Sequence, residues 1–120
     1  MAELPDRELS LLLDMLLASR DALEFTQGLS KEEFLFSRLH QAAVIRMLEV
    51  IGEAAGHVTA TSVEALPEIP WREITGMRHR LIHGYADADL ELVWQVVMEE
   101  VPPLVETLEP LVPPEEDVAE

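Results

Sequence analysis

The spacing of apolar residues constrains this chain more than any other feature, and it is helical throughout. Leu9, Leu12, Leu13, Leu16 and Leu17 recur at three- and four-residue steps, and Ala18, Leu23 and Phe25 carry the pattern on. That period lines one face of an α-helix, whereas a half-buried strand needs apolar residues at every second position, and no segment shows such alternation. Asp6, after Pro5, is the expected cap of this first helix, and Gly28 its expected stop. Ser30-Lys31-Glu32-Glu33 then has the S-x-x-E form of a capping box, in which the serine oxygen and the glutamate carboxylate satisfy opposite backbone N–H groups of the first turn. Phe34, Leu35, Ala42, Ile45, Leu48 and Ala55 extend the pattern, which predicts one long second helix ending near Gly56.

Residues 57–69 interrupt the period with Thr, Ser and Pro67, leaving room for one short turn around Val63–Leu66. Pro70 suits the first turn of a third helix running from Trp71 to about His83, with Gly84 at its stop. Asp87 or Asp89 can cap a fourth helix carrying Leu90, Val93, Trp94, Val97 and Met98, which Pro102-Pro103 end or kink. Leu104, Val105 and Leu108 form a short last segment. The expected architecture is therefore all-α: an antiparallel four-helix bundle over residues 1–112, with a short extra C-terminal helical segment. Residues 113–120, prolyl and acidic, read as a frayed tail.

Composition decides what such a bundle can do. In 120 residues, 48% hydrophobic content is enough for one domain core and excludes a disordered acidic tail. The lack of cysteine removes disulfides, thiolate catalysis and Cys-ligated metal sites. Five glycines leave no glycine-rich phosphate loop. Acids at Glu3, Asp6, Glu8 and Asp14 interrupt the N-terminal apolar run, so neither a signal peptide nor a membrane span is expected, and the reading is cytoplasmic. A formal charge of −16 argues against a protein that coats nucleic acid non-specifically, since that affinity comes from Lys and Arg.

The charge is unevenly spread. Arg72, Arg78 and Arg80, with His79 and His83, fall within residues 72–83 beside a single acid, Glu73, whereas residues 84–120 hold eleven acids and no Lys or Arg. Within the cluster, Arg78, His83 and Tyr85 read Arg-x4-His-x-Tyr. Histidine exchanges protons near neutral pH, arginine offers a permanently charged fork to phosphate oxygens, and phosphodiester cleavage needs both. A helix end at His83 would favour its protonated form through the negative pole of the dipole. On a continuous helix, however, Arg78 and His83 stand about 140° apart, so they meet only through long reach, helix distortion or a second copy of the chain. By residue type alone, the cluster fits equally a set of arginines paired with acids on neighbouring helices. A metal reading, with His79, His83 and Asp87 at four-residue steps, is disfavoured because Gly84 should end the helix first, so no metal or cofactor is expected.

Three segments taken in order carry a resemblance. They are AAVIRMLEVIGEAA (42–55) with its Gly52-Glu53-Ala54 signature, PEIPWREITGMRHRLIHGY (67–85) with Arg78, His83 and Tyr85, and DADLELVWQVV (87–97) leading into the Trp94 helix. Together they resemble the HepT-like branch of the HEPN superfamily over about residues 4–112. The resemblance implies a HEPN-like bundle and a metal-independent endoribonuclease serving as the toxin of a toxin–antitoxin pair. Arg78 and His83 would be its catalytic pair, acting on RNA in a cleft shared across a homodimer. His83 would move the proton at the 2′-hydroxyl or leaving oxygen, and Arg78 would hold the phosphate. Tyr85, the single tyrosine, would be adenylylated by an MntA-like nucleotidyltransferase antitoxin. His79 stands where the family often has Asn and is expected, with Arg80, to support the site. Glu53 either orients Arg78 from the facing helix or forms an ion pair within the bundle. A reading from another class is a catalytically silent adaptor that binds the nucleotidyltransferase without cleaving RNA.

Overall fold

In the computed structural model, the side chains of Ser30, Ser37, Thr59 and Asp89 each accept from a free first-turn N–H group and so fix where four of the helices start. The structure describes residues 4–82 and 87–113, and no strand occurs among them. The elements are α1 (Asp6–Thr26), α2 (Lys31–Leu35), α3 (Arg38–Gly56), α4 (Ala60–Ala65), α5 (Trp71–Thr75), α6 (Met77–Leu81), α7 (Leu90–Glu99) and α8 (Val101–Leu108), followed by a 3₁₀ turn, Glu109–Leu111. Pro5 stands at the N-cap of α1, so Asp6 lies in its first turn and is not the cap. Gly28 follows with φ +81°, the left-handed conformation that closes a helix and that only glycine adopts freely.

The capping box at Ser30 forms in both directions, Glu33 N donating to Ser30 Oγ at 3.1 Å and Ser30 N to Glu33 Oε1 at 2.9 Å. The expected single second helix is nevertheless two. The chain breaks at Phe36–Ser37, where the Ser37 hydroxyl caps α3 through His40 N, and Gln41 Nε2 donates to the carbonyls of Phe34 and Leu35 across the corner. The third expected helix is also interrupted, at Gly76, between α5 and α6. Asp89, not Asp87, caps α7 through Leu92 N at 3.1 Å. The proline pair falls in the first turn of α8, where a missing N–H costs nothing.

Glu8 on the first turn of α1 accepts from Thr59 N, just beyond α3, at 2.9 Å, so these two long helices run antiparallel. They pack along each other, with α7 and α8 closing the remaining sides. Leu12, Met15, Leu16, Phe34, Val44, Leu48, Ile51, Val93, Val96, Val97 and Leu108 fill the space between, each almost wholly buried. Phe34 meets the Trp94 ring at 5.4 Å between centroids, joining α2 to α7. Packing continues past the last helix, because Val112 is buried; of the expected tail, 113–120, all but residue 113 lies outside the described residues. No helix among the described residues is long and apolar enough to cross a membrane.

Candidate functional site

The basic segment is seated against α3 by a missing side chain. A Cβ at Gly52 would lie 2.9 Å from the Ile74 carbonyl oxygen, so only glycine allows α5 to approach this closely. Ile74, Met77 and Leu81 are buried beneath α5 and α6 and fix their rotation, and Trp71 Nε1 donates to Leu66 O at 3.0 Å. Arg78 is thereby carried to the outer face of α3.

There Arg78 Nη1 donates to Glu49 Oε2, and Arg46 Nη1 lies 3.9 Å from the other oxygen of the same carboxylate. Arg46, Glu49, Gly52, Glu53, Thr75 and Arg78 line a solvent-open pocket of about 350 Å³. The Arg78 side chain is 64% exposed and that of Glu49 24%. The pocket thus joins two guanidinium groups over a carboxylate, an arrangement suited to an anion with planar or tetrahedral oxygens.

The expected site residues divide between this pocket and its surroundings. Arg78 and Glu53 line it; Glu53 is exposed and forms no ion pair among the described residues. His79 is exposed and is not among the lining residues. Arg80 is held elsewhere, by a two-bond fork to Glu100 at 3.0 and 2.9 Å, which raises its pKa above the ordinary value. His83 and Tyr85 lie outside the described residues. The chain that enters and leaves them is pinned, because Ile82 and Ala88 pair in an isolated antiparallel bridge and Asp89 N donates to Leu81 O at 2.7 Å.

Expectation and structure differ at the helix end. α6 stops at Leu81 and Ile82 is extended, with φ −120° and ψ 122°, so the helix does not run to His83. The wheel angle calculated for a continuous helix does not apply to the Arg78–His83 pair, and the four-residue register of the metal reading is lost with it. Glu49, Arg46 and Thr75 were not singled out from the sequence. The available signal was the polar spacing Arg46, Glu49, Glu53 along one side of α3, but spacing along one helix does not say which turn faces Arg78.

Residues 15–111 match the model of a family described as Ribonuclease HepT-like. The chain belongs to the HepT-like ribonuclease family. A Methanocaldococcus jannaschii protein named "Putative RNase MJ1380" is 39% identical over 98 residues, covering 82% of this chain and 90% of the relative. A Thermococcus cleftensis protein named "Probable ribonuclease HepT" is 44% identical over 81 residues, covering 68% and 74%. No solved structure matches. The HepT-like match begins inside α1 and ends at the 3₁₀ turn, so it takes in α3, α5 and α6, the helices that build the pocket.

Proposed function

We propose that the protein is a metal-independent endoribonuclease and the toxin of a toxin–antitoxin pair. Arg78 holds the scissile phosphate, and His83 moves the proton at the 2′-hydroxyl or leaving oxygen. The observation that carries the reading is an Arg78 guanidinium presented at an open pocket, in a HepT-like chain with Arg-x4-His-x-Tyr intact. The helix ends before His83, which removes the angular objection to their joint action. A homodimer brings two such segments to one cleft. The exposure of two large apolar side chains, Phe36 and Leu39, at 90% and 78%, supports a partner, since burying such surface is favourable. Leu39 lies two turns from Arg46 along the exposed side of α3.

The purified protein is expected to cleave single-stranded RNA in the presence of EDTA. Arg78→Ala and His83→Ala should each lose about 100-fold or more in rate, the scale for removing a group that stabilises transition-state charge, while the dimer persists by light scattering. Cleavage that survives both substitutions refutes the assignment.

Tyr85 is the proposed adenylylation site, and its modification would add a bulky anion two residues along the chain from His83. Co-expression with a nucleotidyltransferase encoded beside the gene should add adenylyl mass to the intact protein, and Tyr85→Phe should prevent it. An adduct of unchanged mass on Tyr85→Phe would move the modification elsewhere.

A further inference from the structure

The pocket contains an arginine that the proposed reaction does not use. Arg46 stands on α3, one turn before Glu49, with its side chain 62% exposed. Arg78 reaches the same carboxylate from α6, and both arginines line the same pocket. Glu49 therefore sits between two guanidinium groups that belong to different helices. Each guanidinium has five N–H donors, and the Glu49 contacts leave most of them free.

A phosphodiester resembles a carboxylate in two respects that matter here: it carries one negative charge, and it offers two equivalent oxygens to a guanidinium fork. A phosphodiester can take over the fork contacts that Glu49 makes, while the displaced carboxylate stays tethered to α3 as a competitor. The ion pairs to be broken are exposed, and such pairs hold weakly, so the exchange meets little resistance.

We infer that Arg46 and Arg78 form a two-arginine seat for one backbone phosphate of the RNA, and that Glu49 is its resident anion, displaced when the phosphate arrives. Arg46 is then a binding residue for the strand, and Glu49 a competitor that keeps the seat closed to weakly bound anions. In a chain of charge −16, most of the surface repels RNA, so a seat of this kind sets where a strand can rest. The inference rests on the ribonuclease reading and deepens it.

The test measures binding apart from cleavage, using a labelled single-stranded RNA of mixed sequence with 2′-O-methyl sugars to block scission, titrated at several salt concentrations against the protein. Arg46→Ala should weaken binding about three- to tenfold and lower the slope of log affinity against log salt by about one, the signature of one lost phosphate contact. Arg46→Lys should restore the slope. Glu49→Gln should tighten binding about threefold or more at low salt, because the competing charge is gone. An Arg46→Ala variant with unchanged affinity and slope overturns the seat. A Glu49→Gln variant that binds more weakly overturns the displacement, because Glu49 would then be positioning Arg78. Wild-type protein that neither binds nor cleaves RNA refutes the ribonuclease reading itself, an outcome distinct from either of these.

Discussion

Two arginines on the same short helix, Arg78 and Arg80, meet two different regions of the molecule. Towards the α7–α8 junction, Arg80 closes a two-bond fork on Glu100, with its side chain only 29% exposed. Towards α3, Arg78 makes a single bond to Glu49 and stays 64% exposed. Both are Arg–Glu pairs between helices, so counting ion pairs would rank them alike. Their geometry separates them. A guanidinium whose fork is already matched by a carboxylate has little left for a ligand, whereas one held by a single edge keeps most of its donors for one. The α8 side ties α6 down, and the α3 side presents it.

The largest effect that could break this contrast is in catalysis. Arg78→Ala is expected to lose at least about 100-fold in RNA cleavage, whereas Arg80→Ala should keep the rate of the wild type under the same assay. Equal losses would mean that Arg80 serves the reaction after all, through a route its link to Glu100 does not reveal. Stability should run the other way. Arg80→Ala is expected to cost about 1 kcal/mol in denaturant unfolding, since its pair is bidentate but only partly buried. Arg78→Ala should stay within about 0.5 kcal/mol, as is usual for an exposed pair. A destabilised Arg78→Ala would make the Glu49 bond a structural tie.

Local chemistry was legible in the sequence, and relations between helices were not. The stop at Gly28 and the box at Ser30–Glu33 depend on neighbours within four residues, and both are present. The break at Ser37 was hidden because apolar residues on either side keep a helical spacing through it, and a serine is equally at home on an exposed helix face. Gly76 was hidden in the same way within the basic segment. Arg78 was legible as a candidate by its chemistry, but its carboxylate partner was not. Glu49 and Glu53 lie on one side of α3, and the choice between them depends on how far α6 slides along that helix. Gly52 sets that slide by permitting the contact with Ile74, and its effect appears only when both helices are placed together.

The smallest expected effect sharpens the contrast by extending it to a carboxylate with no role at the pocket. Glu8 is buried, with 3% of its side chain exposed, and its Oε1 accepts from Thr59 N at 2.9 Å and from Thr59 Oγ1 at 3.1 Å. The backbone hydrogen bond from Thr59 holds its pKa below the ordinary 4.5, outweighing the opposing effect of burial. A carboxyl group with a lowered folded-state pKa contributes stability that is complete above the unfolded value and is lost as pH falls through the folded one. Glu8→Gln keeps an oxygen for the Thr59 N–H and removes only the charge, so the loss should be small at neutral pH. The gap in Tm between wild type and Glu8→Gln should then narrow as pH drops below about 4.5. A gap that stays constant across that range would show that the charge on Glu8 does not help to hold α1 against the start of α4.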